Sequence, residues 1–159
     1  MLEPTYWRER LRCLEGDDQG LFFTPKPDLS AAGTEVVAFR IRAHDGEILR
    51  GLLARPTWQQ GVRPAVVRSV PAGREVTVDL ETVRGGSAEL VFEAPRGRAL
   101  PDRVLDVVRV SQIALRAPGI DRLQIHFGCL EDDEDDGLAD EYLIADRLLE
   151  RTLNFGTLP

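Results

Sequence analysis

Two alternating segments flank a tight turn in residues 34–55, which read TEVVAFRIRAHDGEILRGLLAR. Apolar and polar or small side chains alternate over 37–42 and again over 47–55, as in strands that bury one face. The dipeptide Asp45-Gly46 between them favours a tight turn, because both residue types tolerate a positive φ. The pattern predicts an antiparallel hairpin.

Downstream of the hairpin, short apolar runs alternate with segments of helical spacing. The apolar runs begin at residues 64, 90 and 123 and are typical of buried strands. Helical spacing occurs at residues 76–83, 101–115 and 138–153, with Gly85-Gly86 and Pro118-Gly119 as stop signals. This order predicts the α/β class: a mostly parallel five-stranded sheet, whose first two strands are the antiparallel hairpin, with helices on both faces.

Residues 1–33 precede the hairpin. Trp7, Leu11 and Leu14 have the spacing of a short amphipathic helix, whereas residues 16–33 contain glycines and prolines that indicate an irregular arm. We expect a single domain over residues 1–159, with the sheet core and its helices in residues 34–159.

Composition restricts the possible functions. The net charge of −7 disfavours nucleic-acid binding, which depends on cationic side chains. Cys13 and Cys129 lie far apart without a CxxC spacing, so neither a disulfide framework nor a zinc site is indicated. No apolar run approaches the roughly 20 residues of a membrane helix. We expect a cytoplasmic protein that needs no cofactor and binds neither membranes nor nucleic acid.

The order of motifs resembles the acetyl xylan esterase and cephalosporin-C deacetylase group of α/β-hydrolases. The similar segments are the helix at residues 6–11, the strand–turn–strand unit at 37–56, the strand at 63–67, the Arg96-Gly97-Arg98 turn, and the helix and loop at 106–122. They cover nearly the whole chain but only the front half of such an enzyme. The resemblance implies an incomplete α/β-hydrolase fold.

The resemblance also places the hydrolase machinery on this chain. Residues Phe127-Gly128-Cys129-Leu130-Glu131 fall on the G-x-S-x-G motif, with Phe127 and Glu131 at the outer glycines and Cys129 at the serine. Pro71 lies in the loop that would stabilise an oxyanion, and proline has no N–H to donate. No histidine follows Cys129, so a triad in the hydrolase order is incomplete within this chain.

Cys129 remains a weak candidate nucleophile, with His126 as a possible base. The two residues are three positions apart on one predicted strand, so their side chains should point to opposite faces. A reactive thiol also needs an electropositive setting, whereas six consecutive acidic residues follow at 131–136. A buried structural thiol is the favoured interpretation.

The acidic run suggests a cation site at Asp132, Glu134 and Asp136. An EF-hand loop would require a bidentate glutamate at position 143, where the sequence has Leu143, so that motif is rejected. Weak cation binding remains an alternative to a solvated acidic loop that stabilises the start of the next helix.

Other charged residues are interpreted as surface groups. His44 lies in the predicted turn and should be exposed. Asp102, Arg103, Asp106 and Arg109 have helical spacing and should form pairs on the helix surface.

The strand at residues 122–127 would lie at a sheet edge in a half-length hydrolase. Bare apolar edges are usually covered, so we expect a homo-oligomer formed through this edge or the final helix, or contact with another protein. The expected interface residues are Leu123, Ile125, Phe127, Tyr142 and Leu149.

Three functions remain open from the sequence. The first is a non-catalytic hydrolase-like protein with a binding or assembly role. The second is an esterase or deacetylase that a partner chain completes or that uses Cys129. The third is an acidic inhibitor or immunity-type protein, whose acidic run attracts a basic target.

Overall fold

The computed structural model describes residues 21–58, 63–116 and 120–126. Within these ranges the strands are β1 (Phe22–Pro25), β2 (Thr34–Arg42), β3 (Ile48–Pro56), β4 (Arg63–Val70), β5 (Ala88–Glu93) and β6 (Ile120–His126). The helices are α1 (Leu80–Arg84) and α2 (Leu100–Arg116). The strands form one six-stranded sheet in the order β1-β2-β3-β5-β4-β6.

The predicted α/β class is confirmed, but the prediction of a mostly parallel sheet of five strands is wrong. Three pairings are antiparallel (β1 with β2, β2 with β3, β3 with β5), and two are parallel (β4 with β5, β4 with β6). The difference arises because the hairpin joins the parallel strands through an antiparallel pairing of β3 with β5, and because β1 extends the hairpin.

β1 lies within the segment predicted to be an irregular arm. Its residues pair with β2 in the register Phe22↔Arg40 to Pro25↔Val37. Phenylalanine and threonine favour strands, and Pro25 is tolerated because β1 is at the edge of the described sheet. The glycines and prolines of residues 16–33 predict an irregular segment, and this short strand lies among them.

The predicted hairpin and its turn are confirmed. β2 and β3 pair over their full length, from Thr34↔Pro56 to Arg42↔Ile48. Gly46 has a φ of +90°, the left-handed conformation that the Asp-Gly turn requires. Across the turn, the Ala43 N–H donates to the Glu47 carbonyl at 2.7 Å.

The helices lie against opposite faces of the sheet, as predicted. Val107, Val110 and Ile113 of α2 pack in the main core with apolar residues of β2, β3, β4 and β5. Val83 of α1 packs with Val36 and Ala54, which belong to the other face. This division follows from the strand period of two residues.

Helix α1 is shorter than the helical spacing at residues 76–83 predicts. It begins only at Leu80, because the Asp79 side chain caps its first turn by accepting the Glu81 N–H at 3.0 Å. Neither helix in the described ranges is long and apolar enough to cross a membrane.

Gly51 allows a close approach within the sheet. A Cβ added at this position would lie 2.6 Å from Cζ of Phe39, its cross-strand partner, and still closer to the Val91 carbonyl oxygen. The Phe39 ring is 2% exposed and covers the space that a side chain would take. The hairpin therefore needs glycine at position 51 for a steric reason.

We predict that Gly51→Ala lowers the free energy of unfolding by about 1–3 kcal/mol, because the added methyl group overpacks a buried site. Urea denaturation would measure the change. Gly85→Ala is the matched control: Gly85 has a helical φ of −72°, and an added Cβ would meet nothing closer than 3.4 Å. Equal stability of the two variants would contradict the steric requirement.

Candidate functional site

The carboxyl ends of β4, β5 and β6 meet at one edge of the sheet, because these strands are parallel. The β2–β3 turn lies at the same edge, since β3 runs antiparallel to β5 in the register Gly51↔Phe92. Open α/β sheets bind ligands at the carboxyl edge. We refer to this edge, with the turn at residues 43–47 and the loops at 71–79 and 94–99, as the carboxyl edge.

Arg98 joins the turn to helix α2 at the carboxyl edge. Its Nε and Nη2 donate to the two carboxylate oxygens of Asp106, at 3.1 and 3.0 Å. Its terminal nitrogens also contact the Asp45 carboxylate, including Nη2 to Oδ1 at 3.0 Å. The Arg98 side chain is only 7% exposed, and that of Asp106 1%. One buried guanidinium thus holds together two segments more than 50 residues apart in the sequence.

The two carboxyl groups on Arg98 differ in their pKa because they differ in burial. The hydrogen bond from Arg98 lowers the pKa of Asp45, which lies in the exposed turn. Burial raises the pKa of Asp106 to about 7, although the charge and hydrogen bonds of Arg98 act in the opposite direction. Asp106 therefore changes charge near neutral pH inside the folded protein.

His44 is not an exposed turn residue, contrary to the sequence expectation. Its side chain is 6% exposed, and Nε2 lies 2.9 Å from Asp102 Oδ1. A carboxylate on one ring nitrogen fixes the orientation of the imidazole, which is how such pairs hold a catalytic base. In the described part of the chain, however, no hydroxyl or thiol is hydrogen bonded to His44. The pair fastens the turn to the first turn of α2.

The prediction of surface ion pairs along α2 is also wrong. Asp106 and Arg109 are each 1% exposed, and Asp102 and Arg103 are half-buried. Arg109 donates from Nε to the Arg42 carbonyl at 2.9 Å. These residues do have helical spacing. They are nevertheless buried or half-buried, because polar partners outside the helix compensate the cost of their burial.

Two backbone donors of the loop after β4, the N–H groups of Gly73 and Arg74, have partners within the protein. Pro71 has no N–H, and its carbonyl accepts the Arg74 N–H at 3.2 Å. The Gly73 N–H donates to Glu93 Oε1 at 3.0 Å. These groups therefore do not offer free N–H donors to a ligand.

A second buried carboxylate, Glu89, lies on the opposite face of β5 from Leu90 and Phe92. Glu89 Oε1 accepts from Arg68 Nη2 and from the Asp79 N–H, both at 3.0 Å. Arg68 Nη2 also donates to the Thr77 carbonyl. This cluster fastens the 71–79 loop to the sheet. Its one sign in the sequence is a glutamate within an apolar run.

Most of the sequence-predicted site residues lie outside the described ranges: Cys129, Asp132, Glu134, Asp136, Phe127, Tyr142 and Leu149. Leu123 and Ile125 lie in β6, as the strand prediction required. In residues 21–58, 63–116 and 120–126, no three histidine, cysteine or acidic residues are grouped so as to hold a metal ion.

Comparison with known proteins supports the architecture. No protein-family model matches the sequence, and no curated protein matches it. Among solved structures, the acetyl xylan esterase from Paenibacillus sp. R4 superposes with a TM-score of 0.63 at 14% identity, over 78% of this chain and 50% of the esterase. Acetyl xylan esterase 1 from Thermoanaerobacterium sp. JW/SL YS485 gives 0.63 at 13% identity, over 76% and 48%.

The chain has an esterase-like α/β-hydrolase fold. It spans about half the length of each of these two esterases. The resemblance that the sequence motifs indicated is therefore confirmed at the level of the fold. At identities this low, the similarity says nothing about activity.

We predict that the stability of the chain falls from pH 4 to pH 7 relative to that of an Asp106→Asn variant. Burial raises the folded-state pKa of Asp106 to about 7 from an ordinary value of 3.8, so in this range the folded state holds a proton that the unfolded state has lost. The contribution is complete below pH 4 and is lost as the pH rises through 7.

Denaturant unfolding at several pH values would measure this difference. Asp28→Asn, which removes an exposed carboxylate, is the control and should leave the wild-type pH profile unchanged. A difference between wild type and Asp106→Asn that is constant, or that grows in favour of the wild type with pH, would mean that Arg98 keeps Asp106 ionised throughout.

Proposed function

We propose that this chain is a non-catalytic α/β-hydrolase-like protein with a binding or assembly role. The observation that carries the proposal is the loop after β4, in which Pro71 lacks an N–H and the Gly73 N–H is donated to Glu93. An acyl-transfer site needs backbone donors aimed at the developing oxyanion. A position without an N–H and a neighbouring N–H already donated to a glutamate are poorly suited to that task.

The polar groups of the carboxyl edge support the same proposal. The Arg98 guanidinium contacts the carboxyl groups of both Asp45 and Asp106, and Nε2 of His44 contacts that of Asp102. These groups bind one another across the turn and the helix. The sequence adds that Phe127 and Glu131 occupy the outer positions of the nucleophile motif.

An esterase or deacetylase that uses Cys129, or that a partner chain completes, is the second candidate. Its support is the fold shared with two acetyl xylan esterases. The two candidates predict different outcomes in one assay.

We expect the purified chain to hydrolyse p-nitrophenyl acetate and an acetylated sugar no faster than buffer. The assay would include Cys129→Ala and, as a matched control, Cys13→Ala, which removes the other cysteine. Turnover that is lost in Cys129→Ala and kept in Cys13→Ala would contradict the proposal and make Cys129 the nucleophile. Turnover unaffected by either variant would also contradict it.

The assembly role is supported by the position of β6. This strand pairs with β4 on one side, and no other described strand pairs with it on the other. An unpaired strand offers backbone donors and acceptors to a second chain. We therefore propose self-association through β6, with Tyr142 and Leu149 of the following segment in the interface.

We expect the molar mass measured by sedimentation equilibrium to rise from that of a monomer towards that of a dimer as the concentration increases. Leu149→Glu should shift this transition to a concentration at least about tenfold higher, because a charge in an apolar interface must be desolvated. Glu150→Gln, a substitution at the neighbouring position, is the control. A monomer at every concentration would rule out self-association.

A further inference from the structure

An open groove runs along the outer strands of the sheet, remote from the parallel strands. It has a volume of about 460 Å³ and is lined by Phe22, Phe23, Thr24, Ala38, Phe39, Arg40, Arg50 and Gly51. Phe22 and Phe23 are 57% and 50% exposed. The volume falls within the range of small-molecule sites, and no carboxylate lies in the lining.

Two arginines lie side by side in the lining of this groove. Arg40 of β2 and Arg50 of β3 are direct cross-strand partners. Like charges in this arrangement repel, which destabilises a sheet unless something compensates them. Among the described residues, neither arginine forms an ion pair. The Arg40 guanidinium instead lies 4.8 Å from the centre of the Phe22 ring.

The same hairpin shows what a compensated pair looks like. Arg55 of β3 is the cross-strand partner of Glu35 of β2, and the two side chains form an ion pair with Nε to Oε2 at 2.7 Å. The Arg40–Arg50 pair lacks such a carboxylate. In a chain of net charge −7, this leaves a local positive site beside the exposed ring of Phe22.

We propose that this groove binds an organic anion with an apolar body, such as an aromatic carboxylate. The carboxylate lies between the Arg40 and Arg50 guanidinium groups, which offer donors in a planar geometry suited to it. The apolar body lies against the ring of Phe22, which is the cross-strand partner of Arg40 and lies on the same face. The site goes beyond the proposed function, because it is independent of whether the carboxyl edge of the sheet catalyses a reaction.

The test uses 2-naphthoate as the probe, titrated into the full chain and followed by calorimetry. 2-Naphthylmethylammonium has a similar ring system with the opposite charge, and acetate has the carboxylate without the ring. We expect 2-naphthoate to bind at least about tenfold more tightly than either, since it alone satisfies both the arginines and the Phe22 ring.

Arg50→Gln should weaken the binding of 2-naphthoate at least about tenfold, and Phe22→Ala should weaken it several-fold. Both side chains are exposed, so both variants should remain folded, and Arg50→Gln, which removes the cross-strand repulsion, should unfold at no lower a temperature than the wild type. Arg55→Gln is the matched control: it removes the same charge from an exposed position of the same strand, outside the groove, and should leave binding unchanged. Equal binding of the cationic probe, an unchanged affinity in Arg50→Gln, or no binding would overturn the proposal.

A further variant identifies a competing occupant. The acidic run at residues 131–136 is a competing ligand within the chain, because its charge is opposite to that of the two arginines. Neutralising Asp132, Glu134 and Asp136 to the corresponding amides should leave the affinity for 2-naphthoate within about twofold, apart from the general effect of net charge, which added salt removes. A tenfold gain that persists at high salt would overturn the proposal and assign the groove to the chain's own acidic segment.

Discussion

The contact of the Arg98 guanidinium with Asp45 and Asp106 is the constraint on which the carboxyl edge of this fold depends. A hairpin turn and a helix that are distant in sequence are brought together by one buried cation between two carboxylates. Removing the arginine would leave Asp106 buried without its partner, and such changes cost far more than the net value of the pair. The His44–Asp102 contact fastens the same two segments a second time. The turn is thus fixed to helix α2 by polar contacts at two places.

The polar groups that the structure describes at the carboxyl edge are bound to one another. A catalytic edge keeps donors and titratable groups available for a substrate. Here the described arginine, histidine and carboxyl groups are engaged with one another, and the Gly73 N–H is engaged with Glu93. The fold is shared with two acetyl xylan esterases, but a shared fold does not establish a shared activity.

The sequence predicts the elements of this fold much better than it predicts their polar contacts. The hairpin follows from strict alternation and the Asp45-Gly46 turn, and the buried strands follow from apolar runs, because both patterns report local periodicity. Periodicity does not show which strand lies next to β3, so it does not predict the antiparallel pairing of β3 with β5. It also does not say that Asp106 has a partner at Arg98. An aspartate in a helical pattern of charged residues is predicted to lie on the surface, because the sequence does not show a distant partner that would compensate its burial.

The two faces of the hairpin show how a fold and a binding surface can share one segment. Phe39, Ile41 and Leu49 point to the core and are held there by packing, together with the steric demand at Gly51. Arg40 and Arg50 are exposed positions of the opposite face, which α1 covers at Val36 and Ala54. Because successive residues of a strand alternate between faces, one face can change its chemistry without disturbing the other. The opposed arginines are therefore not explained by the packing of the core.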